Sequence, residues 1–155
     1  MKLNNAINTL KLNRFMRTEK ETLLFEEALE EISETNDYRI IGKLIDVFED
    51  DTEQEEVMWG LIHTIEYLGE LSPKESLKLQ INAIPANVEK CREWVEIMHF
   101  RILNHDEYRK LFAEVLKEVN VQVQETIVNL LNEIKNEDPV KFKDKVEEVK
   151  TILYS

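Results

Sequence analysis

The sequence predicts an all-α fold, a short HEAT-like α-solenoid of about nine helices joined as antiparallel hairpins. Three observations carry that reading. Only three Gly and three Pro occur in 155 residues, too few for the turn signal every dozen residues or so that a β-sandwich or barrel needs. Apolar residues recur at the i, i+3, i+4, i+7 spacing of a buried helix face along most of the chain. One such stripe also repeats. Met58, Leu61, Ile62 and Ile65 align with Cys91, Trp94, Val95 and Met98 at an offset of 33, and those with Ile127, Leu130, Leu131 and Ile134 at an offset of 36. Leu44, Leu77, Leu111 and Val146 mark a preceding helix in looser register. A two-helix unit of 32 to 36 residues, used about three times, is the pattern of stacked helical hairpins. The tetratricopeptide signature is absent, and a polar-opened second helix such as Val121–Ile127 is closer to a HEAT unit. The competing arrangement is an irregular bundle with accidental spacing.

Each element has its own punctuation. The expected helices run over 2–16, 19–33, 38–49, 53–68, 73–83, 87–103, 106–119, 121–135 and 139–153. Thr18-Glu19-Lys20-Glu21 is a capping box, opening a helix with Leu24, Ala28 and Ile32 on its buried stripe. Thr52-Glu53-Gln54-Glu55 repeats the signature. Ser72-Pro73 and Asp138-Pro139 place proline at the first helical position, where its missing N–H costs nothing. Asp106 marks a further start, and Gly69 is read as a stop. Connections of two to five residues make successive helices antiparallel neighbours. Residues 1–155 are read as one helical-repeat domain, in which segment 1–17 is an N-terminal helix that either extends the stack or caps it.

Charge narrows the partners. Thirty-two acidic against 20 basic residues give a net charge of −12, which disfavours nucleic acid or an anionic membrane as a direct partner. The surplus is concentrated: Leu44–Pro73 holds nine carboxylates and no Lys or Arg, seven of them between Asp46 and Glu56. Such a block is an ordinary solvated face or a surface that steers a basic protein partner. No apolar run reaches the roughly 18 residues that span a bilayer. The lone Cys91 rules out an intrachain disulfide, so an intracellular, cytoplasmic protein is expected.

The repeat also nominates a surface. With the second-helix core positions assigned, Trp59, His63 and Glu66 fall away from the buried stripe at i, i+4 and i+7, flanked by Glu56 and Tyr67. The 33-residue offset carries them onto Arg92, Glu96 and His99. An exposed Trp beside Tyr and carboxylates suits an interface anchor; alternatively Trp59 packs beneath a neighbouring helix. Asp50, Asp51, Glu55 and Glu56 extend the acidic side of this surface.

Catalytic chemistry has little to stand on. There is no Gly-rich phosphate loop, Gly-x-Ser-x-Gly elbow or Cys-x-x-Cys pair, and no cofactor motif. Cys91 sits on an apolar stripe and reads as an inert core thiol. Glu96-Ile97-Met98-His99 matches the Glu-x-x-His of di-iron bundles once, where that chemistry needs it twice. A carboxylate metalloenzyme using Glu66, Glu96 and His99 is the remote alternative, and a generic protein-binding adaptor the nearer one.

The stretch Glu55-Glu56-Val57-Met58-Trp59-Gly60-Leu61-Ile62-His63-Thr64-Ile65-Glu66, preceded by Ile45-Asp46-Val47-Phe48-Glu49-Asp50, resembles the immunity protein 30 family, with similarity from about Phe25 through Ile134. Those are mostly helical bacterial proteins encoded beside polymorphic or contact-dependent toxins. The resemblance implies a non-enzymatic protein that binds the C-terminal domain of a cognate toxin, a basic protein if its substrate is nucleic acid. On this reading the expected toxin contacts are Trp59, His63, Glu66 and Tyr67, with Asp50, Asp51, Glu55, Glu56, Arg92, Glu96 and His99 around them.

Overall fold

The computed structural model describes residues 2–155; Met1, the first residue of the expected segment 1–17, lies outside them. Among the described residues the chain forms nine α-helices, one 3-10 turn and no strand. They are α1 (Lys2–Leu12), α2 (Glu19–Ser33), a 3-10 turn at Tyr38–Ile40 leading into α3 (Ile41–Ile45), α4 (Glu55–Gly69), α5 (Pro73–Ala83), α6 (Arg92–Leu103), α7 (Asp106–Leu116), α8 (Val121–Glu137) and α9 (Pro139–Leu153). Helix α3 packs on α5, α5 on α7 and α7 on α9, while α2 packs on α4 and α6 on α8. Contacts between α1 and α2, α3 and α4, α6 and α7, and α8 and α9 join the two rows. The result is a solenoid-like double layer of helices.

Helix starts follow local chemistry. The Thr18 hydroxyl accepts from the Glu21 N–H at 3.1 Å, and the Glu21 carboxylate accepts from the Arg17 N–H at 3.2 Å, so the box closes one residue further out than its usual form. Asn120 caps α8 through the Val123 N–H at 2.9 Å, and Asp138 caps α9 through the Lys141 N–H at 3.3 Å ahead of Pro139. Ser72 makes no side-chain cap, leaving Pro73 to open α5. The α7 cap is His105, whose Nδ1 accepts from the Tyr108 N–H at 3.1 Å.

Four expectations need correction, all at helix ends or in the loop before α4. Helix α1 ends at Leu12 rather than 16, and the turn after it carries Met16 in the left-handed region at φ 48° with its side chain buried. The expected helix 38–49 is a 3-10 turn and five α-helical residues, after which the chain runs as a loop from Asp46 to α4. Thr52 is buried and is not the α4 cap, a position taken by Gln54. Helix α6 begins at Arg92 rather than 87, with Cys91 as its cap residue. Gly69, read as a stop, does end α4, though without the positive φ of a left-handed cap.

All twelve positions of the repeated stripe are buried, from Met58 through Ile134. They belong to one apolar cluster with Phe25, Phe48 and Phe112, each fully buried. Each such side chain contributes roughly 1.5–3 kcal/mol by leaving water. Gly60 sets how closely two helices approach: a Cβ there would stand 3.0 Å from Leu29 Cδ2 across the α2–α4 contact.

Candidate functional site

Helix α4 is apolar on the side facing the core and mixed on the other. Met58, Leu61, Ile62, Ile65 and Leu68 are buried, which leaves Glu55, Glu56, His63, Glu66 and Tyr67 exposed and Trp59 half-buried. The Trp59 ring meets Trp94 edge-on at 5.8 Å between centroids and lies 6.0 Å from the His63 ring. Arg101 of α6 reaches the same place. Its guanidinium lies 5.6 Å from the Trp59 ring and donates to both Glu66 carboxylate oxygens, at 2.6 and 2.8 Å. A bidentate pair of this kind fixes both side chains in orientation, so Trp59, His63, Glu66 and Arg101 form one ordered cluster. The Tyr67 hydroxyl donates to Asn36 Oδ1 at 3.2 Å, its ring still half-exposed. Trp59 therefore packs one edge on Trp94 while the residue remains at the surface.

The acidic block divides into two kinds of residue. Asp46 Oδ1 accepts from Asn87 Nδ2 at 2.8 Å, and Lys90 Nζ donates to the Asp46 carbonyl at 3.1 Å. The Glu49 carbonyl accepts from Trp94 Nε1 at 3.0 Å, and its carboxylate lies 3.7 Å from Arg14. The Asp50 carboxylate accepts from the Glu93 and Trp94 N–H groups at 3.2 and 3.4 Å, capping α6 from a distant loop. Phe48 stacks on Trp94 at 5.6 Å. These contacts pin the loop 46–54 to the start of α6, so Asp50, expected as a contact residue, is engaged within the fold. Asp51, Glu53, Glu55 and Glu56 stay exposed. Glu56 also borders a shallow groove between α2 and α4, with Glu26 and Glu30 above a floor of Leu29, Val57 and Gly60.

The second half of the expected surface is more covered than the repeat suggests. Arg92 pairs with Glu133 of α8 and lies 3.8 Å from Glu96. Burial, then the charge of Glu137, raises the Glu96 pKa above the usual carboxylate range. His99 does not reach the surface at all. It is 1% exposed, its Nδ1 lies 2.7 Å from the Val95 carbonyl, and Phe112 of α7 meets its ring edge-on at 5.7 Å. The physical reason is that α6 contacts α7, α8 and α9, so it buries a wider arc than one apolar stripe marks.

No metalloenzyme geometry assembles from these residues. Both oxygens of Glu66 are taken by Arg101 and His99 is enclosed; among the described residues no group of three or more His, Cys, Asp or Glu is placed to hold a metal ion. Burial, with Asp50 nearby, pushes the Cys91 thiol up to about 12, far from a reactive thiolate. Arg101, Glu26 and Glu30 escape the sequence reading. For Arg101 a signal exists: it follows Glu66 by 35 residues, within the span of one repeat and with opposite charge.

No helix among the described residues is long and apolar enough to cross a membrane. Among known proteins, the family model described as immunity protein 30 matches residues 12–112, from the end of α1 into α7. No curated protein and no solved structure matches the chain.

Proposed function

The chain belongs to the immunity protein 30 family, and from that premise we propose that it neutralises a cognate toxin domain by binding it directly through the outward face of α4. Family membership carries the immunity function and a toxin as partner. The face is supported by one observation above all, the ordered Trp59–Glu66–Arg101 cluster. A half-exposed Trp packed against a neighbouring Trp and a guanidinium has fewer rotamers open to it than a free one, so less freedom is lost when a partner covers it. Aromatic residues in such positions dominate binding energy.

Electrostatics completes the reading. Glu55 and Glu56 are exposed on α4 and Glu26 and Glu30 on the other wall of the α2–α4 groove, on a chain with a net charge of −12. This field favours rapid capture of a basic toxin domain and masking of its substrate groove. The protein acts by occupancy, and no bond is made or broken.

The test is a titration of the purified chain against a candidate cognate toxin domain. Trp59→Ala is expected to weaken binding by about 2 kcal/mol or more, roughly thirtyfold. Association with the unaltered chain is expected to slow as salt rises. Full affinity in Trp59→Ala, with association indifferent to salt, would remove this face from the account.

A further inference from the structure

A cavity of about 430 Å³ opens between α4, α5, α6 and α7, a volume typical of sites that enclose a ligand or an anchoring side chain. The two Trp residues do not line it. Its walls include Ile62, Ile65, Leu77, Met98 and Ile102, all buried. The surrounding residues are polar: Glu66, Glu70, Arg101 and His105 are exposed and Tyr108 is half-buried. Glu66 is paired with Arg101, whereas Glu70 has no ion-pair partner among the described residues. The mouth therefore keeps one uncompensated carboxylate beside an apolar interior. The Tyr108 phenol lies close enough to Glu70 and Glu66 that, after burial, their charges push its pKa up.

The geometry points to a second docking point for the toxin: the cavity takes a large apolar side chain flanked by Lys or Arg, with the basic neighbour meeting Glu70. This inference rests on the toxin-binding reading above. The interior suits an apolar occupant, because the Ser76 hydroxyl in its wall is sealed from solvent and offers little to orient a polar small molecule. A polar ligand would lose its hydration against the apolar walls and find partners only toward the mouth. A second copy of this chain is disfavoured by charge, since −12 would meet −12. Glu66 and Arg101 belong both to the cavity and to the Trp59 cluster, so one partner can engage the two together.

Two variants of the full chain test this against the same toxin domain. Gln80 is half-buried in the wall contributed by α5, and Gln80→Trp would fill the cavity without deleting a core side chain. Glu70→Lys reverses the free charge at the mouth. Gln80→Trp is expected to weaken binding about tenfold or more with its melting temperature retained. Glu70→Lys is expected to weaken binding about threefold to tenfold, mainly through slower association; if Gln80→Trp does not fold, this variant alone decides. Wild-type affinity in the folded variants, alongside a weakened Trp59→Ala, would overturn the cavity inference and leave the α4 face standing. Absence of any complex with the unaltered chain would remove both. A concentration-dependent dimer abolished by Gln80→Trp would make a second copy the occupant and overturn the inference.

Discussion

Arg101 on α6 holds both carboxylate oxygens of Glu66 on α4, at 2.6 and 2.8 Å. The pair links adjacent helices of one layer at the surface, and the same guanidinium stands 5.6 Å from the Trp59 ring. Its position matters more than its strength. Exposed pairs are worth about 0–1 kcal/mol, but this one holds a guanidinium beside the Trp59 ring.

Arg101→Lys should therefore separate stability from presentation. A lysine keeps the charge and loses the planar fork that grips two oxygens. The expected outcome is a stability change below about 1 kcal/mol with altered Trp59 emission and weaker toxin binding. Unchanged emission and affinity would show that the clamp is only decorative.

Asp50→Ala tests whether the acidic loop is structural at that point. Asp50 supplies acceptors to two N–H groups at the first turn of α6, where backbone donors lack intrahelical partners. Loss of such a cap costs about 1 kcal/mol, to be read as a lower denaturation midpoint. Equivalent substitution of the exposed Asp51 should leave the midpoint within about 0.5 kcal/mol of the parent.

These residues show where the sequence is legible and where it is not. The stripe of Met58, Leu61, Ile62 and Ile65 and its two copies are read correctly because burial on one helix face is written locally, at helical spacing. Thr18, Pro73 and Pro139 are legible for the same reason. The segment Asp46–Gln54 is not: its structure depends on Trp94, Asn87 and Lys90, about 40 residues away, and nothing local marks those partners. His99 fails differently. The repeat places it correctly on α6, but Phe112 of α7 covers it, and a repeat cannot say which flank its neighbour will cover. Of the expected surface, Trp59, His63 and Glu66 come together, while Asp50 and His99 are absorbed by the fold.

His99 makes stability depend on pH. Burial lowers its pKa from 6.5 to about 4. Between those values the unfolded chain binds a proton that the folded chain refuses, so unfolding free energy decreases as pH falls through the window. The full shift is worth on the order of 3 kcal/mol. Urea midpoints for the parent and His99→Gln at pH 7, 5.5 and 4.5 should converge as the solution becomes more acidic. Parallel profiles would mean that His99 takes up its proton equally readily in the folded and unfolded chain.

Ser76→Ala should stabilise the chain. The Ser76 hydroxyl is buried without a hydrogen-bond partner, an arrangement costing about 1–3 kcal/mol relative to a satisfied group. Alanine removes the orphan and favours the interior of α5. A gain of about 1 kcal/mol in thermal or urea unfolding is expected; a loss would show that the hydroxyl is bonded in solution.

Protection by toxin capture is open to a direct test by co-expression with a candidate cognate toxin domain, scoring growth and isolating the complex. Capture predicts rescue with a stoichiometric complex, and loss of both when Trp59→Ala and Glu66→Lys are combined in a chain that still folds. Unrelieved toxicity with no complex, both proteins being folded, would contradict it.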